Sequence, residues 1–291
     1  MKEYYLVTTD HLESSIWFRD DSDFKVAMNY VAVQAALCPD VDVLAFILMS
    51  NHVHFVLNGR EDDVLFFVNQ FKRRYSAYYR KRYDVKEFLR GNKVDLRIVP
   101  FEDDSLERAI AYVQMNCVAA SICSHPTQYP WGTGNIFFSQ IAPPSTRLVD
   151  ISKRARRRLL HSACLCLPAN WLISKEGFIL PQSYADIQTV EFLYRNPKRM
   201  NYFLANSSKA RKRIQTIDDN LPSFRDQTIV NALPDLCRSL FNKNSFKELK
   251  EDEQAEFVQQ IRYRFSADAN QIARTCEIPY DRAACLLQSF H

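Results

Sequence analysis

The chain lacks the features that mark several large classes of protein. It has no run of about 18 uncharged apolar residues, which a membrane-spanning helix requires. Residues 1–5 include an acidic residue and no apolar signal-peptide region, so we expect neither membrane insertion nor export. The Gly-x-x-x-x-Gly-Lys-Ser/Thr loop that cradles nucleotide phosphates is also absent. These absences predict a cytoplasmic protein that does not bind ATP through this loop.

The eight cysteines contain no Cys-x-x-Cys pair and no spacing typical of disulfide-rich secreted domains. The closest two, Cys164 and Cys166, are separated by one residue, and we interpret them as core packing rather than a zinc site. We therefore expect reduced thiols. With 291 residues, 47% of them hydrophobic and 13% aromatic, the chain is long and apolar enough for two domains.

The most informative pattern is a pair of histidines, His52 and His54, at the start of an apolar alternating run. Side chains two residues apart in a strand project from the same face, so the two imidazoles would stand side by side. Such a pair can bind one divalent metal ion. Two partly exposed strand histidines without a ligand role are the alternative.

A second pattern places a tyrosine and an asparagine on one helix. Residues 109–116 have helical apolar spacing and no helix breaker, and Tyr112 and Asn116 are four residues apart. On a helix they lie one turn apart on one face. Two imidazoles and an amide oxygen form a neutral ligand set that leaves positions open on a divalent ion, and a tyrosine beside it is an oxygen nucleophile. The combination predicts phosphoryl transfer; a buried tyrosine with an incidental asparagine is the alternative.

The order of these patterns resembles the single-tyrosine HUH transposases, and specifically the transposases associated with repetitive extragenic palindromes (REP-associated tyrosine transposases). In that family a Pro/Ser-Asn-His-hydrophobic-His phrase precedes a Tyr-Ile-x-x-Asn-Pro-Val-x-Ala segment and then a Tyr-Pro-Trp-Ser-Ser-like stretch. The corresponding segments here are residues 50–54 (Ser-Asn-His-Val-His), 112–120 (Tyr-Val-Gln-Met-Asn-Cys-Val-Ala-Ala) and 129–133 (Tyr-Pro-Trp-Gly-Thr). The resemblance covers about residues 1–138.

The resemblance implies a DNA transposase-like single-strand endonuclease and strand transferase that acts on hairpin or palindromic DNA. His52, His54 and Asn116 would bind Mg²⁺ or Mn²⁺, and Tyr112 would attack the scissile phosphate to form a 5′-phosphotyrosine intermediate. A homodimer is expected, because each chain supplies one nucleophile. Two other functions stay open: a catalytically silent DNA-binding regulator, and a metal-dependent phosphodiesterase in which water attacks.

Three departures from the family pattern weaken different parts of this expectation. Cys117 stands where the family usually has proline, which bears on the end of the helix. Gly132 and Thr133 replace a Ser-Ser pair, and residues 93–101 lack the family's Gly-Arg-Tyr-like phrase, so substrate contacts there are expected to differ.

The net charge of +4 is only mildly basic, so an argument for nucleic acid depends on where the cations lie. Residues 71–83 interleave six cations with five aromatic residues in the second half of a helix predicted to begin near Glu61. Cations bind phosphates and tyrosines stack on unpaired bases, although an aromatic stripe that packs on a sheet is the alternative for the tyrosines. The predicted DNA contacts are Lys72, Arg73, Arg74, Tyr78, Tyr79, Arg80, Lys81 and Arg82, and a second basic run adds Arg154, Arg156 and Arg157.

Periodicity predicts the order β-α-β-β-α-β-α over the first 122 residues, with strands near 4–8, 41–49, 52–58 and 96–101 and helices near 22–37, from 61, and near 104–122. This order is typical of an α+β protein with a ferredoxin-like split βαβ sheet and helices on one face, the HUH fold that the resemblance also implies. The histidine strand is expected to be central. Asp103 and Asp104 are expected to cap the tyrosine helix.

An Ala-Pro-Pro-Ser stretch at 142–145 predicts a boundary between a catalytic domain, 1–140, and a mostly helical domain, 141–291. Its end, about 248–291, resembles a DNA-binding helix-turn-helix, with helices at 251–265 and 268–275 and a third from Pro279 to near Phe290. The expected core is Ile272, Ala273, Ile278, Ala283, Leu286 and Leu287, and the expected groove-facing residues are Tyr280, Asp281, Arg282 and Gln288. Helices that only pack together are the alternative.

Overall fold

A computed structural model describes residues 1–10, 16–120, 122–141, 143–162, 164, 166–208, 226–265 and 267–288. The protein is α+β, as predicted. Its main sheet has four antiparallel strands in the order β2-β3-β1-β4. The strands are β1 (Glu3–Thr9), β2 (Asp42–Met49), β3 (His52–Gly59) and β4 (Val94–Ile98), and α1 (Asp21–Leu37) and α2 (Glu61–Tyr83) connect them. β3 pairs with strands on both sides, so the histidine strand is central as expected.

The remaining helices are α3 (Ser105–Gln114), α4 (Asn116–Ala119), α5 (Lys153–Leu159), α6 (Ile187–Tyr194), α7 (Pro197–Ala205), α8 (Asp226–Phe241), α9 (Glu251–Phe265), α10 (Ala269–Thr275) and α11 (Tyr280–Gln288). Two short strands, β5 (Ser145–Arg147) and β6 (Leu172–Ser174), form a separate antiparallel pair. Short 3-10 turns occur at Pro126–Gln128, Leu148–Asp150, Pro181–Ser183 and Phe246–Glu248. None of the helices in the described part of the chain is both long enough and apolar enough to cross a bilayer.

The sheet carries helices on both faces, so the expectation of helices on one face is wrong. Phe55 of β3 contacts Phe67 and Phe71 of α2, which places α1 and α2 on the Phe55 face. The adjacent His54 projects to the other face, and its ring contacts Tyr112 of α3. A half-buried sheet would leave the histidines open to solvent; here the third helix covers them.

The hydrophobic core of the sheet does not stop at the boundary predicted near residue 140. Val190, Tyr194 and Phe203 of α6 and α7 belong to the same buried cluster as the sheet. A second cluster joins α8 to α11 and is separate from the first. The first core therefore includes residues as far along the chain as Leu204. Ala142, at the predicted boundary, lies outside the described residues.

The last three helices begin and end close to the predicted positions. Asp268 caps α10 by accepting a hydrogen bond from the backbone of Gln271, and Pro279 immediately precedes α11. The expected core residues are buried or packed on that second cluster: Ile272, Ala273, Ile278, Ala283, Leu286 and Leu287. The prediction that these six residues form the core of the last three helices is confirmed. Phe290, near which the third helix was predicted to end, lies outside the described residues.

A buried ionic network joins α1 to the end of α2. The Asp20 and Asp23 carboxylates are almost fully buried and share one guanidinium, that of Arg82. Tyr83 also donates to Asp23, with 2.7 Å between the oxygens. Burial, together with the negative charge of Asp20, raises the pKa of Asp23 to about 6. One cation therefore balances two buried acids only in part.

Residues 131–133 close the outer edge of β2. The backbone N–H of Leu48 donates to the Trp131 carbonyl at 2.9 Å, and that of Thr133 donates to the Phe46 carbonyl at 3.0 Å. A Cβ at Gly132 would lie 2.5 Å from the Phe46 carbonyl oxygen, closer than real side chains approach. Gly132 and Thr133 are thus part of the edge of the sheet.

We predict that Gly132→Ala lowers the free energy of unfolding by about 3 kcal/mol, because the backbone must separate from β2 to admit the methyl group. Denaturant unfolding measures the change. Gly91→Ala is the matched control, since Gly91 has a φ of +71° but no atom near its missing Cβ, and should cost about 1 kcal/mol. Equal losses in the two variants would contradict the steric explanation.

Candidate active site

The two histidines of β3 lie side by side on the covered face of the sheet. Their ring centroids are 4.7 Å apart, and both side chains are buried, with His54 only 1% exposed. Thr8 of β1 lies directly opposite His54 in the ladder, and its hydroxyl is 3.0 Å from His54 Nδ1. The alternation along β3 therefore produces the predicted pair, but deep under α3 rather than at the surface.

The orientation of His52 is set by the residue before it. His52 Nδ1 donates a hydrogen bond to the Asn51 side-chain oxygen at 2.7 Å. With its proton on Nδ1, the His52 ring carries its lone pair on Nε2, whereas the Thr8 hydroxyl can donate to or accept from His54 Nδ1 and orients that ring without selecting its tautomer. Metal-binding histidines are usually oriented in this way by a partner on the other nitrogen.

Tyr112 of α3 faces the histidine pair. Its ring centroid is 5.7 Å from that of His54, with the rings nearly perpendicular, and the phenol is partly exposed. Burial raises the pKa of Tyr112, and the nearby Arg97 guanidinium opposes this shift. The phenol therefore keeps its proton at neutral pH unless a base accepts that proton.

Asn116 lies one turn beyond Tyr112, at the start of α4. The helix is interrupted at Met115, so the single helix predicted for 104–122 is two pieces. The Asn116 Nδ2 donates to the carbonyl of Tyr112 at 2.9 Å and to that of Val113 at 3.1 Å. Because carbonyls only accept, the amide nitrogen must face them, and the side-chain oxygen is the atom available as a ligand.

An arginine from α7 holds the start of α3. Arg199 bonds the Asp104 carboxylate at 2.6 Å and the buried Glu107 carboxylate at 3.1 Å. Asp104 adopts a left-handed conformation, with φ 57°, and makes no capping bond to the helix backbone. The expected capping by Asp104 is therefore wrong: its carboxylate pairs with Arg199. The Tyr194 hydroxyl adds a 2.6 Å bond to the Glu107 carbonyl.

The donor set fits a divalent ion that accepts both nitrogen and oxygen. Among the described residues there is no group of three or more His, Cys, Asp and Glu side chains able to hold a metal. The candidate set has two imidazoles and one amide and needs no such group. Imidazole suits Mn²⁺ better than Mg²⁺, which prefers oxygen ligands throughout. The residues present therefore fit Mn²⁺ more closely than Mg²⁺.

The predicted DNA contacts of α2 divide into buried and exposed groups. Lys72 is 7% exposed and donates to the Asn92 carbonyl, and burial lowers its pKa. Tyr79 is buried, stacks on Phe88 and accepts a hydrogen bond from Arg19. These burial values assign Lys72 and Tyr79 to packing and not to a DNA surface.

Two further residues of α2 are tied to neighbouring groups. Arg82 is bound to Asp20 and Asp23, and the Tyr78 hydroxyl accepts from Arg82 at 2.9 Å. Both residues are still partly exposed, and the other exposed or partly exposed contacts predicted on α2 are Arg73, Arg74, Arg80 and Lys81. All of them lie on the α2 side of the sheet, opposite the histidines and Tyr112.

The other predicted DNA contacts are on the short helices α5 and α11. Arg154 and Arg157 of α5 are exposed, and Arg156 donates to the Ile151 carbonyl at 3.1 Å. On α11, Tyr280 is 50% exposed and Arg282 donates to the Gln254 side chain at 2.9 Å. Their role in DNA binding stays a prediction.

Two arginines beside Tyr112 were not identified from the sequence as candidate site residues. Arg108 precedes Tyr112 by four residues on α3 and is exposed, and Arg97 of β4 acts electrostatically on Tyr112. The four-residue spacing is a usable signal for Arg108. Nothing in the sequence alone brings Arg97 to the same place.

Comparison of the chain with protein-family models, with curated proteins and with solved structures finds no significant match.

Proposed function

We propose that this protein is a tyrosine-dependent single-strand DNA endonuclease and strand transferase of the HUH type. The observation that carries the proposal is the contact between the Tyr112 ring and His54, with His52 at its side. The order β-α-β-β-α-β and the strand order β2-β3-β1-β4 are those of a split βαβ sheet and support the same conclusion.

In the proposed reaction the Tyr112 phenolic oxygen attacks the scissile phosphorus of a single strand. An O–P bond to the tyrosine forms, and the P–O3′ bond breaks. The phenolic proton ends on the departing 3′-oxygen, which leaves a free 3′-hydroxyl and a 5′-phosphotyrosine. The covalent ester conserves the energy of the phosphodiester, so a later 3′-hydroxyl can reverse the step and join strands without ATP.

His52, His54 and Asn116 would hold the divalent ion. When bound there, it supplies Lewis-acid stabilisation of the charge that develops on the phosphate oxygens. The chain's own contribution is to keep the His52 ring in one tautomer through Asn51, to orient the His54 ring through Thr8 and to hold Tyr112 against His54. Each chain supplies one nucleophile, so we propose that two junctions are cut by a homodimer or in two rounds.

We expect Asn51→Ala to weaken Mn²⁺ binding by about 10-fold to 100-fold, the usual effect of removing a residue that orients a metal-binding histidine. Isothermal titration of the DNA-free protein with Mn²⁺ measures this without reference to activity. Asn58→Ala, on the same strand but away from the histidines, is the control. Equal affinities for Mn²⁺ in Asn51→Ala and the parent protein would show that Asn51 does not support metal binding.

The direct test of the proposal is to incubate the protein with end-labelled hairpin DNA and Mn²⁺ and to separate the products on a denaturing gel. A retarded protein–DNA band supports the tyrosine mechanism. Binding without any band supports a silent DNA-binding regulator instead. Cleavage without a covalent band supports a phosphodiesterase in which water attacks.

A further inference from the structure

Helix α3 is buried almost all round, and its one open stripe contains the proposed nucleophile. The sheet lies on one side of it and α6 and α7 on the other. Among its residues only Ser105, Arg108 and Tyr112 are not buried. These positions are three and four residues apart, so they form a single line along the helix. Arg108 is therefore the exposed cation next to Tyr112 along this helix.

The neighbouring part of the sheet is open on the same side. Arg97 of β4 is paired with Leu6 of β1, and Asp95 is paired with Thr8, which contacts His54. Directly opposed residues of a ladder share a face, so Arg97 stands on the histidine face. Its side chain is 75% exposed and bonds Asp95 at 3.0 Å. An exposed pair of this kind is weak and is easily exchanged for a phosphate.

An exposed aromatic ring lies further along this face. Tyr4 alternates with Leu6 and Thr8 along β1 and so projects to the histidine side. Phe101, just beyond β4, stacks on Tyr4 with 5.7 Å between the ring centroids and is 49% exposed. Four residues of strand separate Tyr4 from Thr8, a distance of roughly 13 Å. The ring is therefore within reach of a strand held at the histidines.

We infer that Arg97, Arg108 and Phe101 form the track on which single-stranded DNA reaches Tyr112. This inference rests on the proposed function and adds the substrate-binding residues to it. The two guanidiniums bind phosphates on either side of the nucleophile, and Phe101 stacks on an unpaired base. The open parts of the basic helix α2 lie behind the sheet and cannot contact the same phosphate.

Acidic residues limit where the phosphates run. Glu102 and Asp103 are exposed just before α3, whereas the Asp104 carboxylate is already paired with Arg199. Phosphates are repelled from Glu102 and Asp103, and a neutral base is not. The backbone therefore passes between Arg97 and Arg108, and the base projects toward Phe101.

The test measures binding of a labelled single-stranded oligonucleotide to full-length protein on a Tyr112→Phe background, which prevents covalent capture. Arg97→Ala and Arg108→Ala are each expected to weaken binding roughly fivefold and to lower the salt dependence of log K by about 0.7. Arg60→Ala, an exposed arginine at the start of α2, is the control and should leave both unchanged. Melting temperatures confirm that each variant is folded.

A second arm separates stacking from charge. Phe101→Ala is expected to weaken binding about tenfold with a normal strand and not at all with a strand of abasic sites, because only bases stack. The loss in Arg97→Ala should persist with the abasic strand. Phe192→Ala removes a more exposed ring, 77% against 49%, from α6 and is the control.

The inference is overturned if Arg73→Ala or Lys81→Ala, behind the sheet, weakens binding more than Arg97→Ala and Arg108→Ala do. It is also overturned if neither the parent protein nor Tyr112→Phe binds a single strand. This test does not depend on catalysis. If the Arg97 and Arg108 variants lose binding and the parent protein forms no covalent band, the DNA-binding track is supported and the proposed nuclease activity is rejected.

Discussion

Tyr112→Phe is expected to form no covalent protein–DNA band while binding the same hairpin DNA within about twofold of the parent protein. The phenyl ring keeps the edge contact with the His54 ring and loses only the oxygen that would attack phosphorus. Because this oxygen forms the new bond, no partial activity is expected to remain. A denaturing gel and a binding isotherm on the same preparations measure the two quantities.

The matched control is Tyr202→Phe, which removes the hydroxyl from a tyrosine of α7 that is 64% exposed. It should form the covalent band at the rate of the parent protein. Strand cleavage that survives in Tyr112→Phe would contradict the tyrosine mechanism and favour attack by water. Loss of DNA binding in Tyr112→Phe would instead mean that the hydroxyl serves binding.

Arg82→Ala is expected to lower the free energy of unfolding by about 3–5 kcal/mol at pH 7. It removes the one cation that faces the buried Asp20 and Asp23 carboxylates, and an uncompensated buried charge is costly. Chemical denaturation measures the loss. Arg90→Ala breaks an exposed pair with Glu87 and, as the control, should change stability by less than about 1 kcal/mol.

The same network predicts a pH dependence with a definite sign. The pKa of Asp23 is raised to about 6 in the folded protein, above its ordinary value of 3.8, so the folded state binds more protons between these values. Stability from this group therefore falls as pH rises from about 4 to about 6 and is level above that. Asp23→Asn should remove this slope. The loss in Arg82→Ala should be smaller at pH 5, and an equal loss at both pH values would contradict the shared-cation explanation.

The local patterns of the sequence were sufficient for the four strands of the sheet, for α1 and α2, and for the pairing of the two histidines. Alternation in β3 placed His52 and His54 on one face, and four-residue spacing linked Tyr112 to Asn116. These relations depend on residues close together in the chain. They hold whatever the rest of the molecule does, and the structure brings the His54 and Tyr112 rings together.

Relations between distant residues could not be obtained in this way. In the sequence, Lys72 and Arg82 look like solvent-facing cations of a basic helix. Only the fold shows that Lys72 donates to the Asn92 carbonyl and that Arg82 pairs with the Asp20 carboxylate. The prediction that α3 packs on the same face of the sheet as α1 and α2 was also wrong. Periodicity determines which side of a helix is apolar, but it does not determine on which side of a sheet the helix packs. The core contributed by α6 and α7 was missed for the same reason.

The supports of the site come from widely separated parts of the chain. Ser50, next to the histidine motif, donates to the Arg264 carbonyl of α9, and the buried Arg264 guanidinium bonds Asp21 at 2.5 Å. Arg199 holds α3 from nearly a hundred residues downstream. During synthesis the ribosome therefore releases the histidines and the tyrosine long before the residues that brace them. A nascent chain that ends before residue 264 carries every proposed catalytic group and lacks part of their support, so the proposed activity should appear only late in translation.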